Sequence, residues 1–194
     1  MHRIVLTSQF STVAQELQEK SVLPHTSLKV AFIPTAGRPY VNTPWIEADR
    51  AALSSLGYSL FDVELQGQTA QQLMETLKPA DIIFVAGGNT TYLAERAQAA
   101  HFHTIIRELL KERIYIGSSA GSILAGPSVE PFIAEDRSDL PQDFVLNNPR
   151  GLGLVDYIIL PHHPEHVEVD AHIIETLQDR FTFMTMTDKE WRLA

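Results

Sequence analysis

Short apolar, β-branched runs alternate along the chain with longer stretches in which apolar residues recur at helical spacing. That alternation predicts a mostly parallel sheet flanked by helices. The predicted strands are Arg3 to Thr7, Lys29 to Pro34, Ser59 to Leu65, Asp81 to Ala86, Ile114 to Ser118 and Tyr157 to Pro161. Several are almost wholly apolar, as strands covered on both faces tend to be. The predicted helices run from Ser11 to Lys20, Trp45 to Leu56, Ala70 to Leu77, Thr91 to Ala99 and Thr104 to Lys111. The stretch from Gly126 to Gly153 is rich in Pro, Asp and Asn, has weak periodicity and reads as irregular surface chain, often a functional feature in a compact domain.

Composition narrows the classes. The chain has 194 residues, 44% of them hydrophobic and 20% charged, enough for one domain with an ordinary core. No internal repeat or flexible linker suggests a second. Twenty-four acidic residues against 15 basic ones give a net charge of -9, which disfavours nucleic acid or an anionic membrane as partner. There is no cysteine, so disulfides, thiolate metal sites and a cysteine nucleophile are excluded. Met1-His2-Arg3 followed by Ile4 to Leu6 lacks the pattern of a signal peptide, and no apolar run approaches the ~20 residues of a membrane span. The expectation is a soluble cytoplasmic protein; self-association is left open.

Three segments carry candidate chemistry. Gly117-Ser118-Ser119-Ala120-Gly121 follows an apolar strand and opens a helix of small and apolar residues, a G-x-S-x-G pattern in strand, turn and helix context. A nucleophile on so sharp a turn needs small neighbours, and its hydroxyl stands clear at the helix start. Ser119 is the candidate nucleophile and the Ala120 amide a candidate oxyanion donor. The same small residues would also suit a packed turn or an anion site. Gly87-Gly88-Asn89-Thr90 likewise follows a strand and opens a helix, so Gly88 and Asn89 are candidate donors opposite Ser119, or else Asn89 caps the helix. No G-K-[ST] follows, so this is not a phosphate loop.

Pro161-His162-His163-Pro164-Glu165-His166 closes the Tyr157 strand and supplies a candidate general base at the same sheet edge. His162 and His163 compete for that role. A rival reading makes His162, His163, Glu165 and His166 a metal site, although Pro164 interrupts the helix that would align them. A solvated polar loop is the plain alternative.

Together these segments resemble the peptidase E (aspartyl dipeptidase) family, which includes cyanophycinase and shares its fold with class I glutamine amidotransferases. The resemblance covers Lys29 to Pro161 and implies a three-layer, flavodoxin-like, mostly parallel α/β sheet with helices on both faces. It further implies that Ser119 attacks a peptide carbonyl, that His162 shuttles the proton, that Gly88 and Ala120 stabilise the oxyanion, and that water hydrolyses an acyl-enzyme without a cofactor. The family's acidic residue matches Asp188 in Thr187-Asp188-Lys189-Glu190-Trp191. Asp136 or Glu135 is a second choice, in the chain order of α/β-hydrolases. Glu165 is a third, and it would make His163 the base as in glutamine amidotransferases.

Two departures bear on substrate. Family members that cleave after aspartate carry a basic residue downstream of the histidine, whereas residues 163 to 179 contain no Lys or Arg and several carboxylates. Arg38, Arg137 and Arg150 are the residues that would have to compensate. The sequence also ends soon after Trp191, leaving little for further C-terminal strands. The expected substrate is a short peptide; a non-catalytic binding protein of the same family and a small esterase are the alternatives.

Overall fold

The computed structural model describes residues 4–194. In chain order the regular elements are β1 (Ile4–Thr7), α1 (Phe10–Glu19), β2 (Lys29–Ile33), α2 (Pro44–Ser55), β3 (Ser59–Asp62), α3 (Ala70–Leu77) and β4 (Ile82–Val85). There follow α4 (Thr90–Ala99), α5 (Phe102–Leu109), β5 (Ile114–Ser118), α6 (Ala120–Ala125), α7 (Ile133–Asp136), β6 (Tyr157–Leu160), α8 (Val167–Leu177), β7 (Thr182–Thr185) and β8 (Trp191–Leu193). Every strand and helix anticipated from the sequence is present, with ends displaced by a few residues; Arg3, placed in the first strand, lies outside the described residues.

Six strands form one sheet in the order β3-β2-β4-β5-β1-β8. The first five are parallel, and β8 runs antiparallel along β1. The apolar runs are explained by what covers them. Successive residues of a strand point to opposite faces, and here both faces are packed. Val5, Val30, Phe32, Ile82, Phe84 and Ile116 meet α1 and α2 through Phe10, Leu17 and Leu53. Leu6, Ala31, Ile33, Ile83, Val85 and Tyr115 meet the helices of the other face through Leu73, Leu93, Ile106 and Ile123. The mostly parallel α/β sheet with helices on both faces is therefore the observed architecture.

One strand sits elsewhere than its position in the sequence suggests. The Tyr157 run does not join the main sheet; β6 pairs in parallel with β7 as a separate two-stranded sheet. The pattern of a strand identifies its type but not its neighbour. The C-terminal part also holds more structure than its sequence suggests, with α8, β7 and β8 all formed. The start of α8, Val167-Glu168-Val169-Asp170-Ala171-His172, alternates with period two and so masks a helix whose buried residues are Asp170 and Ile173.

The irregular stretch after Gly126 is not purely surface. It contains short helical turns over Glu130–Phe132, Ile133–Asp136 and Arg137–Asp139, anchored by buried Phe132 and Leu140. Among the described residues, no helix is long and apolar enough to cross a membrane.

Candidate active site

The carboxyl ends of parallel strands form the ligand crevice of open α/β sheets. Here the chain leaves β1 at Ser8, β4 at Gly87, β5 at Ser119 and β6 at Pro161, and all four residues line one cavity of about 450 Å³. Opposite them stand Tyr40, Trp45, Phe132, Asp136, His166 and Asp170.

Ser119 occupies the turn between β5 and α6 with φ 48 and ψ -111, outside the regions that L residues favour. Its backbone is held there from three sides. Its N–H donates to the Thr7 carbonyl at 3.0 Å, and its own carbonyl accepts the N–H groups of Ser122 and Ile123 at 2.8 and 3.0 Å. Backbone strain at a functional position persists only where surrounding bonds over-determine it.

The Ser119 hydroxyl lies 2.9 Å from Nε2 of His162. Nδ1 of the same ring lies 2.7 Å from Oδ1 of Asp188, in the turn between β7 and β8. Ser119, His162 and Asp188 therefore form one continuous hydrogen-bonded chain. Both partner side chains are about one third exposed, His162 at 30% and Asp188 at 31%, so the chain borders the cavity rather than lying sealed beneath it.

The competing residues go elsewhere. His163 turns its Nδ1 to the buried carboxylate of Asp170 at 2.9 Å, away from Ser119. Glu165 is exposed, and only its backbone N–H returns to His162, at 2.8 Å from the carbonyl. Asp136 accepts the backbone N–H and hydroxyl of Thr91 at 2.7 and 2.8 Å, at the start of α4; burial pushes its carboxyl up to about 6. Glu135 lies 3.8 Å from His166. The four residues of the rival metal reading thus diverge to different partners, and among the described residues no group of three or more His, Asp or Glu is arranged to hold a metal ion.

Gly87 and Ala120 border Ser119: a Cβ on Gly87 would lie 3.1 Å from the Ser119 Cβ, and Ala120 is the next residue in the chain. Gly88 has φ +140, and a Cβ on it would lie 2.3 Å from the carbonyl oxygen of Ala36. The position admits only glycine because the backbone of Ala36 and Gly37 lies directly against it. The carbonyl of Gly87 accepts the indole N–H of Trp45 at 3.2 Å. A planar trans peptide then directs the Gly88 N–H away from Trp45. Ala120 is the first residue of α6, where an N–H has no partner within its own helix.

Asn89 is held within the fold by three hydrogen bonds. Its backbone N–H donates to Ala36 at 2.8 Å, its side-chain oxygen caps α4 by accepting the Tyr92 N–H at 2.8 Å, and its amide donates to the Asp136 carbonyl at 3.0 Å. With these groups engaged and its side chain fully buried, Asn89 caps α4.

Two residues with no sequence signal also belong here. Trp45 lines the cavity and orients the Gly87-Gly88 peptide. Ser8, fully buried, donates its hydroxyl to Oδ1 of Asp188 at 2.7 Å and accepts the His162 backbone N–H at 2.7 Å. Both contacts join residues far apart in the chain, which no local motif reports.

The arginines that would have to receive an acidic substrate do not line the cavity. Arg38 pairs with Glu64 at 2.6 Å, Arg137 binds the carbonyls of Pro141, Gln142 and Phe144, and Arg150 lines a separate small pocket with His103. The described lining of the active-site cavity includes Asp49, Glu135, Asp136, Asp139 and Asp170 but neither Lys nor Arg.

Set against known proteins, the sequence matches Peptidase family S51 over residues 4–191. An uncharacterized peptidase of Listeria innocua is 31% identical over 165 residues, covering 84% of this chain and 77% of the relative. A peptidase E of Shewanella amazonensis is 29% identical over 160 residues, covering 81% of this chain and 63% of the relative. The crystal structure of a Listeria monocytogenes protein, provisionally named a peptidase E, superposes with a TM-score of 0.87 at 26% identity, covering 100% of this chain and 94% of that one.

Proposed function

The chain belongs to peptidase family S51; it is a peptidase, and we propose that it hydrolyses short peptides with Ser119 as nucleophile, His162 as general base and Asp188 as the acid that orients it. The observation that carries this reading is the unbroken chain of contacts from Ser119 Oγ to His162 Nε2 at 2.9 Å and from His162 Nδ1 to Asp188 Oδ1 at 2.7 Å. In the tautomer that suits both contacts, Nδ1–H donates to Asp188 and Nε2 accepts the serine proton.

Attack by Ser119 Oγ on the scissile carbonyl then passes the proton to His162 and forms a tetrahedral oxyanion between the Gly88 and Ala120 amides. His162 returns that proton to the leaving amine, and the carbon-nitrogen bond breaks to give an acyl-serine. Water, deprotonated by His162, attacks the ester; the bond from the acyl carbon to Ser119 Oγ breaks, His162 returns the proton to Oγ and the acid leaves. Asp188 keeps the ring in its productive tautomer throughout.

The charge of the cavity narrows the substrate. Carboxylates on its wall disfavour an acidic side chain beside the scissile bond, so neutral peptides are the better substrates. The test is hydrolysis of an alanyl dipeptide by wild type and Ser119→Ala, each with and without chelator. Activity that is indifferent to chelator and absent from Ser119→Ala supports the reading. Undiminished activity in Ser119→Ala, or loss with chelator that zinc restores, contradicts it.

A further inference from the structure

We infer that Ser8 is a positioning residue for the His162 and Asp188 pair, an assignment that rests on the reading of Ser119 as nucleophile. A serine hydroxyl has one proton to give and lone pairs to receive. Ser8 gives its proton to Oδ1 of Asp188 at 2.7 Å and receives the backbone N–H of His162 at 2.7 Å.

Both connections matter for geometry. Oδ1 of Asp188 is also the atom facing His162 Nδ1, so the oxygen that orients the ring is itself held by a second short, charge-assisted donor. His162 has φ +60, a backbone conformation that residues with a side chain rarely adopt. The hydrogen bond from its N–H to Ser8 is one of the contacts that keep the imidazole projecting toward Ser119.

Ser8 is well placed to set this register because its own position is fixed. It directly follows Thr7, whose N–H donates to Ser122 Oγ at 2.9 Å and whose carbonyl accepts the Ser119 N–H at 3.0 Å. Thr7 therefore holds the nucleophile through its backbone, and Ser8 holds base and acid through its hydroxyl. Two adjacent residues at the end of β1 align three side chains drawn from the turn after β5, the loop after β6 and the turn before β8. Ser8 is fully buried, so no water replaces these contacts without rearrangement.

The test uses full-length Ser8→Ala, Ser8→Cys and Ser8→Thr. Cysteine keeps a similar volume without a strong hydroxyl donor, and threonine keeps the hydroxyl. Three readings are taken: kcat and KM on an alanyl dipeptide, the low-field proton NMR signal of the His162 Nδ1–H, assigned by its loss in His162→Ala, and thermal unfolding. Ser8→Ala is expected to lower kcat by about 10- to 100-fold with KM changed less than about twofold, because misalignment affects the transition state more than substrate binding. The NMR signal should shift or broaden in folded protein, and Ser8→Thr should recover both. If Ser8→Ala does not fold, Ser8→Cys decides by the same readings. A folded alanine or cysteine variant with wild-type kcat and an unchanged signal overturns the inference. If Ser119→Ala retains hydrolysis, the nucleophile reading fails while the NMR signal still reports whether Ser8 organises the pair.

Discussion

A Cβ on Gly121 would lie 2.0 Å from the carbonyl oxygen of Val85, closer than any side-chain carbon approaches a backbone oxygen. The first turn of α6 thus rests directly on the backbone of β4, and Ser119 comes to lie beside Gly87. Gly121→Ala has no flexible neighbour to displace. It should destabilise the fold by at least about 3 kcal/mol, at the upper end for overpacking. Thermal unfolding should show a fall of roughly 10 °C for a chain of this size.

The carboxylate that orients His162 can be identified by substitution. Asp188→Asn keeps the shape but favours the wrong histidine tautomer, and kcat should fall by about 10³- to 10⁴-fold, as in related triads. Glu165→Gln, on an exposed residue away from the chain of contacts, should leave kcat within about twofold of wild type. Steady-state kinetics on both variants checks the assignment, and the opposite ranking would make Glu165 the acid.

Asp49 makes stability depend on pH. It is 2% exposed, accepts the Ser11 N–H at 2.9 Å near the start of α1, and burial pushes its carboxyl up to about 6. A carboxyl raised in the folded state binds more protons there than in the unfolded chain between these two pKa values. Its contribution is therefore full below about 4 and is lost as pH rises through about 6. The loss is up to about 3 kcal/mol. Asp49→Asn cannot titrate, so its unfolding temperature should fall less than that of wild type between pH 4 and 7. Parallel curves for the two proteins would show that Asp49 does not titrate in this range.

Substrate charge provides a separate check. With Asp49, Glu135, Asp136, Asp139 and Asp170 on the cavity wall, kcat/KM for aspartyl dipeptides should be lower than for alanyl dipeptides with the same leaving group. A preference for the aspartyl series would contradict this reading of the cavity's charge.

Sequence legibility followed the range of the interaction. Strands such as Ile82–Val85 were readable because burial on both faces leaves only apolar residues to choose from. Ser119 and the histidine segment were readable because a sharp turn after a strand has its own local chemistry. Ser8 and Trp45 were not, since a serine after a strand and a tryptophan in a helix acquire roles only through partners 154 and 42 positions away. Asn89 is ambiguous in sequence for a related reason: a helix cap and a ligand donor draw on the same residue types. His162 and His163 differ in their partners, Asp188 and Asp170, and no spacing rule separates adjacent residues whose side chains turn to different elements.

The most direct test of the account is labelling of native protein with a serine-directed fluorophosphonate, the modified residue being located by mass spectrometry. The account predicts a single adduct on Ser119, absent from Ser119→Ala and strongly slowed in His162→Ala although both variants remain folded. No adduct on folded wild type, or labelling at Ser119 that proceeds equally well without His162, would contradict it.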